Sequence, residues 1–308
     1  MGEDYPRTLL EFERRFAGDQ GCREYLFALR WPEGFVCPRC GAREAWQTRR
    51  GLWVCKRCRH QTSVTAGTIF QDGRLPLVLW FRAMWYITSQ KSGVSAMAVQ
   101  RILGLGSYQT AWVWLHKLRR AMVRPGRERL AGRVEVDETY VGGEEAGVVG
   151  RRTFRKRVVM VAAEEDGAGI GRIRMNRVLD LSRRSLHGFI QRTVEPGSVV
   201  VTDGLSNYEG LQGYRHEPIV VAHHRSTASQ LLPRVHMAVS LMKRWLVGTL
   251  HGGVQARHLD YYLDEFAFRF NRRTSASRGK LFYRLVQQAV QIGPHPYRRI
   301  VGNPTDGG

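Results

Sequence analysis

Apolar residues recur at helical spacing through the first thirty positions. Leu9, Leu10, Phe12 and Phe16, then Tyr25, Leu26 and Leu29, stand among charged neighbours and predict one amphipathic helix over 1–30, ended by Pro32 and Gly34. Residues 75–124 carry a second helical, Trp-rich pattern. Within it "SGVSAMAVQRILGLGSYQTAWVWLHKLRRAM" (92–122) has the form of helix–turn–helix: Ser95 caps a first helix, "GLGS" turns the chain, and Ser107 opens a second. Its inner face carries Ala111, Trp114, Leu115 and Leu118. Gln109, Thr110, Trp112, His116, Lys117, Arg119 and Arg120 are left for solvent or a ligand. After Pro125-Gly126 the period changes. Strands are predicted at 133–141, 157–164, 169–179, 198–202 and 217–222, and helices at 183–193, 205–211, 233–247 and 258–271. Three strands, then helix, strand, helix, strand and helix describe an α/β domain with a mixed sheet. The basic stretch "NRRTSASRGK" (271–280) is expected as a loop and "GNPTDGG" as a disordered end.

Charge narrows the partner. The 308 residues hold 48 Lys+Arg against 27 Asp+Glu, a net +21, and almost all of the base is arginine. Arginine forks match phosphate and guanine edges. Such a balance points to nucleic acid through phosphate neutralisation, ahead of an anionic membrane surface, for which no basic amphipathic anchor stands out. "MGEDYPRTLLEFERRF" has no signal pattern and no apolar run reaches the ~20 residues of a membrane span. The expectation is a soluble, cytosolic protein with no membrane partner.

Four of the five cysteines form Cys37-x2-Cys40 and Cys55-x2-Cys58 with fourteen residues between the pairs. Two knuckles at this spacing can close four thiolates around structural Zn²⁺, leaving no open position for catalysis. Reduced core cysteines and a redox pair are the alternatives. Cys22 lies apart, in the predicted helix.

The second chemical signal is acid where strands should be apolar. "RVEVDETYVGG" (133–143) places Asp137 inside a β-forming run, and "SVVVTDGLSNY" ends one at Asp203. Each aspartate alone reads as a wet strand end or an Asx turn. Together, at the ends of neighbouring strands, they can share a divalent cation. Glu138, adjacent to Asp137, is expected on the opposite side of the strand.

The cysteine pairs, the Trp-rich helices, "VEVDETYVGG", "VVTDGLSNY" and "GTLHGGVQARHLDYYLDEFAFRFNRR" (248–273) together resemble bacterial insertion-sequence transposases of the ISXO-like, zinc-ribbon-bearing DDE type. The resemblance implies a ribonuclease-H-like mixed sheet with flanking helices, preceded by a zinc ribbon and a helix-turn-helix-like region. It implies segments at 1–30 (N-terminal helix), 31–72 (ribbon), 73–130 (DNA-binding helices), 131–275 (catalytic domain) and 276–308 (C-terminal tail). It further implies cleavage and strand transfer at inverted repeats with Mg²⁺ or Mn²⁺, a double-stranded DNA partner, a homodimer or higher assembly, and a bacterial cytoplasmic, nucleoid-associated location. Asp137 and Asp203 match the family's first two catalytic carboxylates.

The third family residue, Glu or Asn, sits on the helix after the last strand. Registering on His236 and "KRW" puts Leu241 there, and Leu cannot ligate a cation. Lys243 matches the lysine of the Asp-Asp-Asn-Lys subgroup, as a charge contact to phosphate. Asp264 and Glu265 are the candidate replacement acids, and His223 and His224 follow the final strand near the expected site. Arg269, Arg272 and Arg273 are candidate phosphate contacts. Leu241 leaves a second reading open: a catalytically impaired, transposase-derived DNA-binding protein or repressor.

Overall fold

The computed structural model of the chain describes residues 3–142, 156–219, 228–250 and 254–302. They fall into two compact units, one made of residues 126–274 and the other of residues 1–125 with 275–308.

The first unit is built on a five-stranded sheet. β4 (Arg133–Val141), β5 (Arg157–Asp166) and β6 (Gly169–Val178) form an antiparallel meander, and β7 (Val199–Asp203) and β8 (Arg215–Ile219) add parallel to the other side of β4. The spatial order β6-β5-β4-β7-β8, with only β5 running against the others, is the ribonuclease-H-like arrangement. The two parallel strands need crossovers, and α6 (Arg183–Thr193) supplies the one into β7. α7 (Ala228–Leu231), α8 (Pro233–Leu250) and α9 (Leu259–Phe270) follow β8.

Both faces of the sheet are covered, so β5 and β7 read as nearly continuous apolar runs instead of alternating ones. Val134, Val136, Met160, Ala162 and Val200 pack on Leu186, Phe189 and Ile190 of α6. Val159, Val161, Ile173, Met175 and Val201 pack on the opposite side against Val235, Ala238 and Met242 of α8 and Leu259, Leu263 and Phe266 of α9. The predicted helix at 205–211 is only a 3₁₀ turn, Ser206–Tyr208, because the chain turns back at Gly210 in the left-handed region, φ +74°. β8 starts two residues earlier than expected, and positions 220–222 lie outside the described residues.

In the other unit, the predicted N-terminal helix is two: α1 (Leu9–Arg15) and α2 (Asp19–Arg30). Phe16 leaves helical geometry at φ −113°, ψ 41°, which lets both Phe12 and Phe16 turn inward. A small antiparallel ribbon follows, β1 (Ala45–Gln47), β2 (Trp53–Cys55) and β3 (Gln61–Thr62). Then come α3 (Leu77–Ser89), α4 (Ala96–Leu103) and α5 (Tyr108–Ala121). Ser95 and Ser107 cap the last two, accepting from the N–H groups of Ala98 and Gln109, and Gly104 ends α4 at φ +62°.

The expected C-terminal tail over 276–308 is instead structured over most of its length. α10 (Arg278–Ala289) takes up 12 residues of the segment read as a tail, and its first residues lie in the stretch read as a basic loop; α11 (Tyr297–Val301) follows. Leu281, Phe282, Leu285, Val286 and Ala289 form a helical stripe that the prediction overlooked. Phe282 is fully buried. Its ring packs edge-on to Phe12 (5.3 Å), Phe81 (5.7 Å) and Trp85 (5.6 Å), so this helix completes the aromatic core begun by α1 and α3. No helix among the described residues is long and apolar enough to cross a membrane.

The meander carries its own electrostatic staple. A register shift between Ala163 and Glu165 aims Glu164 at Arg172 of the neighbouring strand, which grips it with two bonds of 2.9 and 2.7 Å, while Ala131 N–H donates at 3.0 Å. Burial alone would raise the Glu164 carboxyl. The Arg172 fork and the two backbone donors overcome it and hold the pKa at about 2. Glu164→Gln is therefore expected to lower unfolding free energy by about 2 kcal/mol at neutral pH. A carboxyl depressed in the folded state stabilises above its unfolded value, so the difference from wild type should vanish as pH falls from about 4.5 to about 2. Urea melts of both proteins across that window check it.

Candidate functional site

The parallel pairing of β4 and β7 sets the site. Glu135 lies opposite Val201, so two residues further on Asp137 and Asp203 reach the same level on the same face of adjacent strands. Asp203 is the last residue of β7, and its carboxylate also accepts from Leu205 N–H at 3.2 Å, which starts the turn out of the sheet. Asp137 accepts from Glu138 N–H at 2.9 Å. Carboxylate oxygens of Asp137, Glu138 and Asp203 all lie within 4.8 Å of one another. Like charges this close are costly unless a cation or a proton stands between them. Hard oxygen donors of this kind suit Mg²⁺ or Mn²⁺.

Glu138 corrects an expectation. Strand alternation puts it on the face away from Asp137, yet its carboxylate joins the group. The β4–β7 ladder stops at Glu135↔Val201. Past that point no strand among the described residues pairs with β4 on that side, and a side chain with two methylenes can reach around its edge.

Glu135 is the residue whose role the sequence did not disclose. It is 4% exposed and shares the Asp137 face. Its carboxylate accepts from the backbone N–H groups of Arg234 (2.8 Å) and Val235 (2.9 Å) and pairs with the Arg234 guanidinium (3.0 Å). These are first-turn donors of α8, which have no partner within the helix, at the end of the helix dipole that favours an anion. Arg234 is held in turn by Glu165 at 2.9 Å and by the carbonyls of Gly167 and Gly169. The acid that begins α8 therefore sits two residues from Asp137.

The next side chain on α8 is His236. Its Nε2 lies 3.5 Å from Asp137 Oδ2. That nitrogen is buried and makes no hydrogen bond among the described residues. Burial lowers the imidazole pKa, Glu135 opposes, and Lys243 adds to the lowering.

Leu241, the position expected to face the acids, is about 140° around the helix from His236 and packs with Val239 and Trp245 on the core. Lys243 is seven residues from His236 and so returns to nearly the same face. It is exposed at the surface, and desolvation of its ammonium, then Lys156, lowers its pKa. Glu265 is no replacement acid: it is buried and bonded to Arg269 within α9 at 2.9 and 2.7 Å, which also occupies Arg269. His223 and His224 lie outside the described residues.

The four cysteines converge. Sγ atoms of Cys37 and Cys58, and of Cys40 and Cys55, are each 3.6 Å apart, and donors of all four lie within 4.8 Å of one another. A tetrahedron with Zn–S of ~2.3 Å has edges of about 3.8 Å. The two knuckles repeat one geometry. Gly41 N–H bonds Cys37 O and Arg59 N–H bonds Cys55 O, and the residue after each second cysteine is left-handed, Gly41 at φ +72° and Arg59 at φ +62°. Burial would raise the Cys37 thiol, but the N–H groups of Arg39 and Cys40 and the thiols beside it bring it down to about 7, favouring the thiolate a metal needs. Cys22 is buried away from the cluster, which pushes its thiol up to about 12.

The candidate DNA contacts divide. On α5, Arg120 is exposed, Thr110 and Lys117 are half-buried, and the Gln109 amide donates to Tyr297 Oη of α11 at 2.5 Å. His116 (0% exposed) and Arg119 (2%) are buried, contrary to expectation. α5 packs on α4, α10 and α11, so more of its circumference is covered than a two-helix motif implies. Arg272 lies 4.0 Å over the Phe268 ring and donates to Phe268 O. Arg273 donates to the carbonyls of Ile170, Gly171 and Phe270. Both guanidinia are engaged in holding α9 and the sheet edge.

Residues 129–271 match the family described as the ISXO2-like transposase domain, and residues 18–61 the transposase zinc-ribbon domain. Together these cover the ribbon and the sheet unit, where the motifs placed the resemblance. The chain is 25% identical over 288 residues to an uncharacterized protein in transposable element ISH50 of Halobacterium salinarum (strain ATCC 700922 / JCM 11081 / NRC-1), covering 83% of this chain and 92% of that one. Among solved structures, a chain of the simian T-cell lymphotropic virus intasome in complex with PP2A regulatory subunit B56 gamma is 12% identical with a TM-score of 0.31, over 73% of this chain and 78% of that chain. The Mos1 strand transfer complex gives 11% and 0.28, over 68% and 75%. The fold assignment rests on the strand order and pairing described above.

Two outcomes are expected. Glu135→Ala removes the buried partner of Arg234 and uncaps the N–H groups of Arg234 and Val235, and should cost about 3 kcal/mol, read by thermal melts, with faster hydrogen exchange at the start of α8. Cys58→Ser should abolish stoichiometric zinc in the purified protein, by elemental analysis, and lower the melting temperature as chelation of the wild type does.

Proposed function

With residues 18–61 in the transposase zinc-ribbon family and residues 129–271 in the ISXO2-like transposase domain family, we propose that this chain catalyses divalent-metal-dependent DNA cleavage and strand transfer at the inverted repeats of an insertion sequence. The observation that carries the reading is the group of three carboxylates within 4.8 Å, two from the middle of β4 and one from the end of the adjacent parallel strand β7.

Asp137 and Asp203 hold the cation, with Glu138 in reach as a further oxygen donor. The bound metal neutralises charge at the scissile phosphate and favours deprotonation of the attacking oxygen. The chain's own part is to fix geometry: β4 and β7 set the carboxylates, and Glu135 anchors the helix above them. Lys243, on the same face of α8 as His236, contacts a phosphate of the bound strand. Water is the first nucleophile and the freed 3′ hydroxyl the second, so no Ser or Tyr of the protein forms a bond to DNA.

Zn²⁺ in the four-cysteine site is structural, since four thiolates leave no open position. A net charge of +21 supports double-stranded DNA as the partner. Thr110, Lys117 and Arg120 are the α5 residues left to contact it. Pairing of two element ends calls for a homodimer or higher assembly, and the activity belongs in the bacterial cytoplasm at the nucleoid. The reading as an impaired, non-catalytic DNA-binding descendant rested on Leu241. With Leu241 seated on the apolar core, it loses that support.

The test is Mn²⁺-dependent cleavage of duplex DNA carrying the ends that flank the gene. Wild type should cut, and Asp137→Ala or Asp203→Ala should lose at least ~100-fold, more than outer-shell changes cost in metal sites. Leu241→Asn should give no gain. Binding of the ends without cutting by wild type would instead establish the repressor reading.

A further inference from the structure

Two strands supply carboxylates to one side of the proposed cation, and a protein donor on its other side has to come from the layer that covers them. That layer is α8, fixed at its first turn by the Glu135 carboxylate. The first side chain beyond that clasp is His236, with Nε2 3.5 Å from Asp137 Oδ2. This is longer than the 2.7–3.2 Å of a good hydrogen bond. The nitrogen is nevertheless buried and has no hydrogen-bond partner among the described residues. Buried ring nitrogens are usually satisfied.

The spacing suits another use. Two donors each ~2.1 Å from one ion sit about 3.0 Å apart at a right angle and about 3.4 Å apart at a tetrahedral angle. An unsatisfied imidazole nitrogen beside an acidic cluster at that distance fits a donor pair awaiting its metal. Nothing else on α8 does so: Leu241 is apolar and turned to the core.

Resting on the reading of the acid group as the transposase metal site, we propose that His236, through Nε2, is the third protein ligand of the catalytic cation, beside Asp137 and Asp203. An imidazole in a place that carboxylate or amide could fill also sets metal preference. Mg²⁺ is hard and prefers oxygen, whereas imidazole favours first-row transition ions. The site therefore discriminates for Mn²⁺ over Mg²⁺ more strongly than an all-oxygen site would.

The full zinc-loaded chain, without DNA, is titrated with Mn²⁺ and studied by electron spin-echo modulation. Zn²⁺ is silent in this measurement. Wild type should show ¹⁴N modulation from a coordinated imidazole. His236→Glu should keep Mn²⁺ and lose the modulation, and Mg²⁺ should displace Mn²⁺ from it more readily than from wild type. If glutamate does not retain the ion, His236→Asn is measured instead, with the same loss expected. Mn²⁺ bound to wild type without ¹⁴N modulation, or modulation that survives both substitutions, overturns the assignment of His236 and leaves the proposed function standing. Mn²⁺ binding that is absent from wild type, or unchanged in Asp203→Ala, overturns both.

Discussion

A carboxylate buried against the first N–H groups of a helix fixes where that helix starts and how it is aimed. In this chain Glu135 does so from the central strand of the sheet, bonded to two backbone donors and the guanidinium of Arg234. An isolated buried carboxylate would be prohibitive, and this one is tolerated because helix dipole, backbone donors and ion pair offset its loss of water. The consequence reaches the site directly. Because the anchoring acid is two positions from Asp137, the helix cannot shift along the strand without moving His236 relative to the acid pair. The spacing of Glu135, Asp137, Arg234 and His236 acts as one unit.

The second constraint is the parallel pairing of β4 with β7. Parallel register sends both strand ends to the same edge, and a period of two puts Asp137 and Asp203 on one face of it. Of the apolar residues that precede each aspartate, Val134 and Val136 seat one face of β4 on α6, and Val199 to Val201 bury β7 on both faces. Rigid packing beneath the acids is what keeps like charges close enough to need a cation. The price is a site poorly stable without one.

The unit that carries the ribbon relies on different physics. Short strands bury little, so the knuckles depend on metal–thiolate bonds, whereas the helices around them depend on a cluster of rings in which Phe282 touches Phe12, Phe81 and Trp85. That dependence explains why a segment that looks expendable at the end of the chain is integral: without α10 the aromatic faces of α1 and α3 would be open to water.

Local pattern determined much of this protein. The cysteine spacing disclosed the ribbon, because a chelate of four thiolates requires it within a short stretch. The strand signals at 133–141 and 157–164, the serine caps of α4 and α5 and the odd acids Asp137 and Asp203 were legible, since each is a one-residue or nearest-neighbour effect. Tertiary structure alone decided the rest. Glu135 and Glu138 look alike in sequence, yet one anchors a helix ninety-nine residues away in the chain and the carboxylate of the other joins the acids. His236 and Leu241 share a helix, and only the rotation set by Glu135 turns one to the acids and the other to the core. Arg119 read as free for solvent or DNA and Arg272 and Arg273 as ligands for phosphate, but Arg119 is buried, Arg272 stacks on Phe268 and Arg273 bonds carbonyls a hundred residues away. Charge and periodicity are properties of a segment; which face meets which neighbour depends on contacts between segments, and sequence order does not contain that.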